Sequence, residues 1–488
     1  MAERINILSY AIRPSVVLKY LGQLGLMLAL LTLVPLTVSL LDSEWTSAMR
    51  YAVICFALAL SGFLLVRSPA PQHVQGNEAL TITAAAFLLA PLFMAWPLMT
   101  DGISFIDALF EAISGITTTG LSTVGHVTQH SMSFLFTRSW MQWYGGLGIV
   151  VLSVALLMGH QAAVHRLIGP VESAEGFVTS ARTHARHTII IYSGITLLGF
   201  LLVWPLTGNG FVALLHVLSA VSTGGFSSFD TSLAQFEPLA AIAILSIAFF
   251  SAVSLPLYWR ALHSGWINGL RTFLFDIEFR SLFIACLLAG GLLSGLAWIN
   301  NSGAPWYHGM LMGFSAQTTT GYSTLEVATL DPASKLVMII SMLIGGSVGS
   351  SAGGFKILRL LILIRMLQLI ISRTAMPPHA VATVTLAGQK LENDDMLRAL
   401  QIILLFVGII VLSWIPFVVM GYDPLDSLFE VVSASATVGL SSGIARPELE
   451  SILKAILCFD MLAGRLEIIA LLVVFYPRNW IGRREELK

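Results

Sequence analysis

Apolar stretches near the roughly 20 residues that carry a helix across a bilayer recur from residue 21 to residue 476, and they constrain the fold more than any other feature. Leu21–Leu41, Ile189–Leu206, Leu282–Trp298 and the run ending at Leu466–Tyr476 are the plainest. One such run fits a buried core helix; a whole series does not. Only 11% of the 488 residues are charged and 56% are apolar, whereas a soluble domain carries about 25% charge. Lipid-facing surface needs no charged cover. Spans are expected at 20–41, 48–66, 79–99, 138–160, 187–206, 238–259, 279–298, 333–355, 397–419 and 451–476. The 20–41 run follows Arg4, Arg13 and Lys19 without a small-residue cleavage site, so it reads as a retained helix. Cys55, Cys286 and Cys458 lie apart in apolar stretches and fit small buried hydrophobes better than a disulfide or metal set. A net charge of -1 offers no basic surface to nucleic acid.

Cationic residues give direction. With the N-terminus inside, 20 of the 26 Lys and Arg residues fall on the inner side; Arg50, Arg138, Lys335, Arg446 and Lys454 fall outside, and Arg465 sits within a span. Inner segments carry the positive excess in multi-pass proteins, so both termini are expected in the cytoplasm. The segments around 100–137, 207–237, 299–332 and 420–450 are then external.

Those four external segments share one pattern. They are ALFEAISGITTTGLSTVG (Ala108–Gly125), LLHVLSAVSTGGFSSF (Leu214–Phe229), GMLMGFSAQTTTGYSTLE (Gly309–Glu326) and SLFEVVSASATVGLSSG (Ser427–Gly443). With Ser114, Ser219, Ser315 and Ser433 aligned, Gly120, Gly225, Gly321 and Gly439 share one offset. Ser122, Ser227, Ser323 and Ser441 share another, and the residue between is Leu, Phe or Tyr. Such self-similarity marks internal duplication. The expected unit is a helix, a half-helix too short to span (about Ile106–Ile116 in the first), a Gly/Thr segment and a second helix. Backbone left non-helical at membrane depth must be buried in protein or face water. Four re-entrant segments meeting on one axis satisfy that together. The fold expected is an all-α integral membrane protein with four pseudo-symmetric helix–pore-loop–helix repeats around a central pore, plus two N-terminal helices. Its divisions fall at 1–70 for the helix pair, 71–165, 166–265 and 266–375 for three repeats, and 376–488 for the fourth repeat and tail.

The chemistry of the segments fits a monovalent cation. Thr118-Thr119-Gly120, Thr223-Gly224-Gly225, Thr319-Thr320-Gly321 and Thr437-Val438-Gly439 are candidate filter positions. Rings of carbonyls replace a cation's hydration shell, glycine admits positive φ with no side chain in the path, and half-helix C-termini favour positive charge. Threonine hydroxyls either add ligands or pin the segment from behind. Asp107, Glu111, Asp426 and Glu430 either draw cations to the mouth or are satisfied by pore-helix groups.

Two features lie on the inner side. Gly345, Gly346, Gly349, Gly353 and Gly354 belong to GGSVGSSAGG, which breaks the eighth span and reads either as a gate or as close small-residue packing. Lys356 follows, closing that loop onto a carboxylate or carbonyl, or marking the interface. Arg465, an intramembrane charge and so a functional candidate, reads as a barrier below the filter. The alternative is a structural pair with an acid; Glu467, two residues on, faces elsewhere on a helix, so Glu111 or Glu430 would be the partner.

The four glycine segments, GGSVGSSAGGFKILR at 345–359 and LAGRLEIIALLVVFYPRNW at 462–480 resemble the potassium transporter superfamily of bacterial Trk and Ktr systems and plant high-affinity transporters. The Trk membrane subunit is the most similar. The resemblance implies K+ as transported ion, with Gly120, Gly225, Gly321 and Gly439 as filter glycines. It further implies a homodimer in the bacterial inner membrane, and a cytoplasmic nucleotide-binding regulatory subunit. Members with Ser at the first glycine admit sodium; Gly120 favours potassium. This chain has no Walker or strand-linked GxGxxG motif, so nucleotide is expected on the partner and no organic cofactor here. Competing readings are uptake coupled to Na+ or H+, a non-conducting scaffold in contact with lipid, and an enzyme. For the last, His184 and His187, with His160 and His165 before them, lack an acid to complete a ligand set.

Overall fold

The computed structural model describes residues 11–69, 74–100, 102–160, 177–300, 303–377, 379 and 385–481. Arg4, His165, Arg166, Arg483, Arg484 and Lys488, which entered the readings above, lie outside the described residues.

Helices α1 (Pro14–Leu41) and α2 (Trp45–Val66) form an antiparallel pair that packs on the first repeat. A four-part unit then recurs. Unit 1 is α3 (Gly76–Leu98), half-helix α4 (Phe105–Ile116) and α5 (Met132–His160). Unit 2 is α6 (Phe177–Thr207), half-helix α7 (Gly210–Val221), and α8 (Pro238–Ser251) continued by α9 (Leu255–His263). A short helix α10 (Trp266–Leu274) leads to unit 3, which is α11 (Ile277–Ile299), half-helix α12 (Pro305–Gln317), α13 (Pro332–Ile344) and α14 (Ile357–Arg373). A two-stranded hairpin, β1 (Thr385–Leu386) and β2 (Gln389–Lys390), precedes unit 4. Unit 4 is α15 (Asn393–Val419), half-helix α16 (Pro424–Ser435), α17 (Ser451–Arg465) and α18 (Ile469–Phe475).

Polarity is inverted relative to a soluble protein. Leu30, Phe56 and Leu412 on the long helices are 66–70% exposed, while Ser114, Thr118, Ser219, Thr319 and Ser433 are fully buried. Among the described residues, six helices are long and apolar enough to cross a bilayer, and a seventh if the bent pair α8–α9 counts as one span. The chain is a multi-pass membrane protein. Ile12 N–H donates to Asn479 O at 2.8 Å, so the two ends of the described chain lie on one face.

Each half-helix begins from a local signal at its N-terminal end. Ser104 caps α4 through Asp107 N–H, Asn209 caps α7 through Phe211 and Val212, and Asp423 caps α16 through Leu425 and Asp426; side-chain oxygens here satisfy donors that have no helical partner. The α12 start instead uses Pro305 after the left-handed Ala304, placing the missing N–H where no helix bond is due.

Three second helices break, two where a continuous span was expected. The 238–259 span is two helices bent by 84°. Pro256 stands in the first turn of α9; lacking an N–H, it cannot bond to the carbonyl four residues back. That carbonyl, Ala252 O, accepts from Ser347 N–H at 3.0 Å instead, and Leu255 N–H donates to Gly349 O at 3.1 Å. The 451–476 span stops at Arg465 and resumes at Ile469, with Glu467 and Ile468 at positive φ. The expected interruption at 345–354 is present: α13 ends at Ile344 with Gly345 at φ 70°.

Candidate filter and inner gate

The four half-helices end alike. Counting from the aligned serines, the residue four positions on (Thr118, Thr223, Thr319, Thr437) has φ of 50–55°. Its N–H bonds back to Gly115, Ala220, Ala316 or Ala434 at 3.0–3.2 Å. The next N–H, from Thr119, Gly224, Thr320 or Val438, reaches the aligned serine's carbonyl at 2.8–3.0 Å. This pair of bonds is the Schellman helix end, where glycine is the usual left-handed residue. Threonine there costs about 1–2 kcal/mol, so four threonines in that conformation point to a use for their hydroxyls. Two residues later Gly120, Gly225, Gly321 and Gly439 have φ of 73–94°.

These segments converge. A Cβ built on Gly120 would overlap the carbonyl oxygen of Gly224, one on Gly225 that of Thr320, one on Gly321 that of Val438, and one on Gly439 that of Thr119. The contacts run from unit 1 to 2 to 3 to 4 and back to 1, which closes a ring. Ser114 Oγ accepts from Gly120 N–H at 3.0 Å and Ser433 Oγ from Gly439 N–H at 3.1 Å. Unit 2 is buttressed differently: Gln142 of α5 donates to Gly224 O (2.6 Å) and accepts from Ser219 Oγ (2.7 Å) and Phe226 N–H (3.2 Å). Ser315 Oγ is buried with no partner among the described residues.

The chain leaving each ring position is stapled back to its own half-helix. Glu111 holds Ser122 Oγ; Glu430 accepts from Ser441 Oγ at 2.8 Å and from Ser442 and Ala445 N–H; His216 Nε2 meets Ser227 Oγ at 3.1 Å; and Met312 Sδ accepts from Thr324 N–H at 3.4 Å. The four staplers occupy one repeat position. Cations then tie unit to unit. Arg138 pairs with Glu111 at 2.7 Å and donates to Ser227 O of unit 2 at 3.3 Å. Lys335 of unit 3 binds Asp426 of unit 4, and Lys454 of unit 4 binds Asp107 of unit 1, each at 2.6 Å. Of the two readings left open for Asp107, Glu111, Asp426 and Glu430, the structure places all four in bonds around the half-helices.

Beneath the ring lies the 345–354 loop. Gln317 Nε2 donates to Gly345 O at 2.8 Å, Gly353 N–H to Thr319 Oγ1 at 2.6 Å and Gly354 N–H to Ala436 O at 3.1 Å. A Cβ on Gly353 would overlap Ala436 O. Ser351 Oγ reaches Val221 O and Ser251 O, both at 3.1 Å. Gly346 O accepts from Ile357 N–H at 3.0 Å, and Gly349 O from Leu255 N–H. Glu278 of α11 accepts from Val348 N–H at 2.7 Å. The loop is thus hung from the inner ends of half-helices in units 2, 3 and 4. Lys356 Nζ donates to Ala352 O, the carbonyl option among those expected. Arg465 Nη1 donates to Ser351 O at 2.7 Å, while its Nε and Nη2 are buried with no partner among the described residues. Its expected acidic partners are otherwise engaged: Glu111 with Arg138, Glu430 with its own segment, and Glu467 with Arg359 at 2.6 Å.

A family described as "TrkH: Cation transport protein" matches residues 47–481. The chain belongs to the TrkH family. An uncharacterized cation transporter of Methanocaldococcus jannaschii is 30% identical, with 94% of each chain covered. The Trk system potassium uptake protein TrkH of Halomonas elongata is 28% identical over 95% of this chain and 98% of that one. In fold, the crystal structure of the potassium transporter TrkH from Vibrio parahaemolyticus superposes with a TM-score of 0.85 at 22% identity, covering 96% of this chain and all of that one.

For this TrkH-family chain, sequence reasoning missed Gln142, the stapling roles of His216 and Met312, and the latch at Glu278. Position could have found the staplers, because Glu111, His216, Met312 and Glu430 all stand three residues before the aligned serine. Their unlike chemistry hid them. His184 and His187 hold no metal set among the described residues; His187 stacks on Trp259 with centroids 3.5 Å apart.

Proposed function

We propose that this chain carries potassium into a bacterial cell across the cytoplasmic membrane, driven by membrane potential. The observation that carries the reading is the closed ring at Gly120, Gly225, Gly321 and Gly439. A bare monovalent cation needs several oxygens at once, and neutral main-chain oxygens hold it without trapping it. Thr118-Thr119-Gly120, Thr223-Gly224-Gly225, Thr319-Thr320-Gly321 and Thr437-Val438-Gly439 supply them. Gly224 O also serves Gln142, so unit 2 holds its segment more firmly. Potassium is supported by the names of the relatives and by glycine, not serine, at position 120. About 100 mV gives each entering charge roughly 2.3 kcal/mol, enough for accumulation without local hydrolysis.

The 345–354 loop and Arg465 form the gate in this reading. The loop spans three units under the ring, and the buried Arg465 is bonded to it at Ser351 O, where a fixed cation raises the barrier to another. Both termini are cytoplasmic, in keeping with the positive excess and the shared face of residues 12 and 479. The chain works as a helix pair (1–70) and four units divided near residues 165, 265 and 375. It pairs as a homodimer and is controlled by a cytoplasmic subunit that binds nucleotide; no catalysis is assigned to the chain itself.

Purified protein in liposomes, with and without the cytosolic subunit, tests this. K+ flux several times the Na+ flux is expected, with a reversal potential unmoved by an imposed H+ or Na+ gradient. Equal Na+ and K+ flux overturns the filter assignment. A shift with the second ion establishes coupling in place of simple conduction.

A further inference from the structure

The four left-handed threonines share one backbone conformation and differ in what their hydroxyls do. Thr319 Oγ1 accepts from Gly353 N–H at 2.6 Å. Thr223 Oγ1 donates to Ser222 O at 2.7 Å and lies 3.4 Å from Ser351 Oγ. Thr118 Oγ1 and Thr437 Oγ1 are buried with no partner among the described residues. Gly353 is wedged so that a Cβ on it would overlap both Ala436 O and Thr437 Oγ1. Main chain of the loop therefore fills the space immediately under two of the four hydroxyls, and Ser351 stands near a third.

We propose that Thr319 is a positioning residue that ties the inner loop to the filter, its hydroxyl serving either Gly353 N–H or an ion at the inner end of the ring, so that loop closure and ion occupancy there exclude each other. This rests on the filter and gate reading above. The strained backbone at Thr319 needs a compensating use of the hydroxyl, and the loop supplies one in the state described here. With the loop withdrawn, Thr118, Thr223, Thr319 and Thr437 present four hydroxyls at one level, a full ligand ring. An ion that binds only the withdrawn state favours withdrawal, and linkage makes the effect reciprocal. Potassium then acts as an opener of its own path.

The test labels a cysteine placed on the loop, Ser350→Cys, in the full-length protein in liposomes. A membrane-impermeant thiol reagent acts from the inner side, with Cys55, Cys286 and Cys458 counted as background in the parent. K+ is expected to speed labelling over Na+. Thr319→Val, which keeps the shape and deletes the acceptor, should raise the Na+ rate about three- to tenfold, the weight of one hydrogen bond, and remove most of the K+ effect. Thr319→Ser should restore the slow rate and the K+ response, which a packing role would not. Thr37→Val, on α1 away from the ring and with its hydroxyl bonded to Val34 O of its own helix, should leave the Na+ rate as it was. Labelling of Thr319→Val as slow as the parent's, or an equal rise in Thr37→Val, overturns the coupling while K+ flux stands. Failure of the parent to carry K+ over Na+ overturns the filter reading and this inference with it.

Discussion

Units 1 and 3 enter the ring in the same way, through half-helices that end at Thr118 and Thr319 with φ of 55° and 53°. They leave it differently. In unit 1, α5 runs from Met132 to His160 without a break, whereas in unit 3 the helix stops at Ile344 and the chain wanders through 345–356 before α14 begins. In the filter reading proposed above, the four ring segments follow one rule because an ion at the axis sees four neighbours and is best held by four similar ones. The inner halves are under no such demand, since one obstruction closes one path. Symmetry is kept at the proposed filter, and difference is collected at the proposed gate.

The largest contrast should come from the clamps. Arg138 and Glu111 have 3% and 0% side-chain exposure, while Lys335 and Asp426 have 8% and 30%. Arg138→Met leaves Glu111 buried and unpaired, a loss of about 3–5 kcal/mol. Lys335→Met should cost less, because water reaches Asp426. Denaturation midpoints in detergent compare them; equal losses would mean that the two clamps are not graded by burial.

Next is the loop. Deleting residues 347–350 makes unit 3 more like unit 1 and removes the bonds of Ser347 to Ala252 and of Gly349 to Leu255. At about 1 kcal/mol each, with the anchor at Ser351 disturbed as well, K+ flux should rise on the order of a hundredfold while the K+/Na+ ratio holds. A ratio that collapses along with the rise would show that gate and filter are not separable parts.

The ring glycine ranks third. Gly321→Ser places a Cβ against Val438 O and costs at least about 1–2 kcal/mol of backbone strain. Gly120→Ser meets Gly224 O in the same way. Each should lower the K+/Na+ permeability ratio roughly tenfold, and a response in one unit alone would break the fourfold rule.

The smallest contrast separates the aligned serines. Ser114→Ala orphans Gly120 N–H, costing about 1–3 kcal/mol. Ser315 Oγ has no described partner, so Ser315→Ala should be near neutral. Matching midpoints for the two variants would remove this distinction between units 1 and 3.

Much of this arrangement is legible in the residues. The spans follow from apolar length, and the ring from Ser, Gly and Ser repeated at fixed offsets. The bend at 252–254 was not legible, although Pro256 is visible. A proline in an apolar run is tolerated when a neighbour supplies the missing donor, and that donor, Ser347 N–H, is far along the chain. The same holds for Arg465, whose bonded partner is the main chain of Ser351 and carries no side-chain signature. Thr118 and its three counterparts were readable as ligands or as pins. Their φ values are alike, and only their unequal partners show that the four are not equivalent.

The inner loop exists in one copy because four unequal quadrants are joined in tandem. In an assembly of identical subunits, any segment reaching under the axis would arrive four times and contend for the same space. With the loop as the gate proposed above, a single obstruction moves or does not, so current through one pore should step between two levels with no graded sublevels between them.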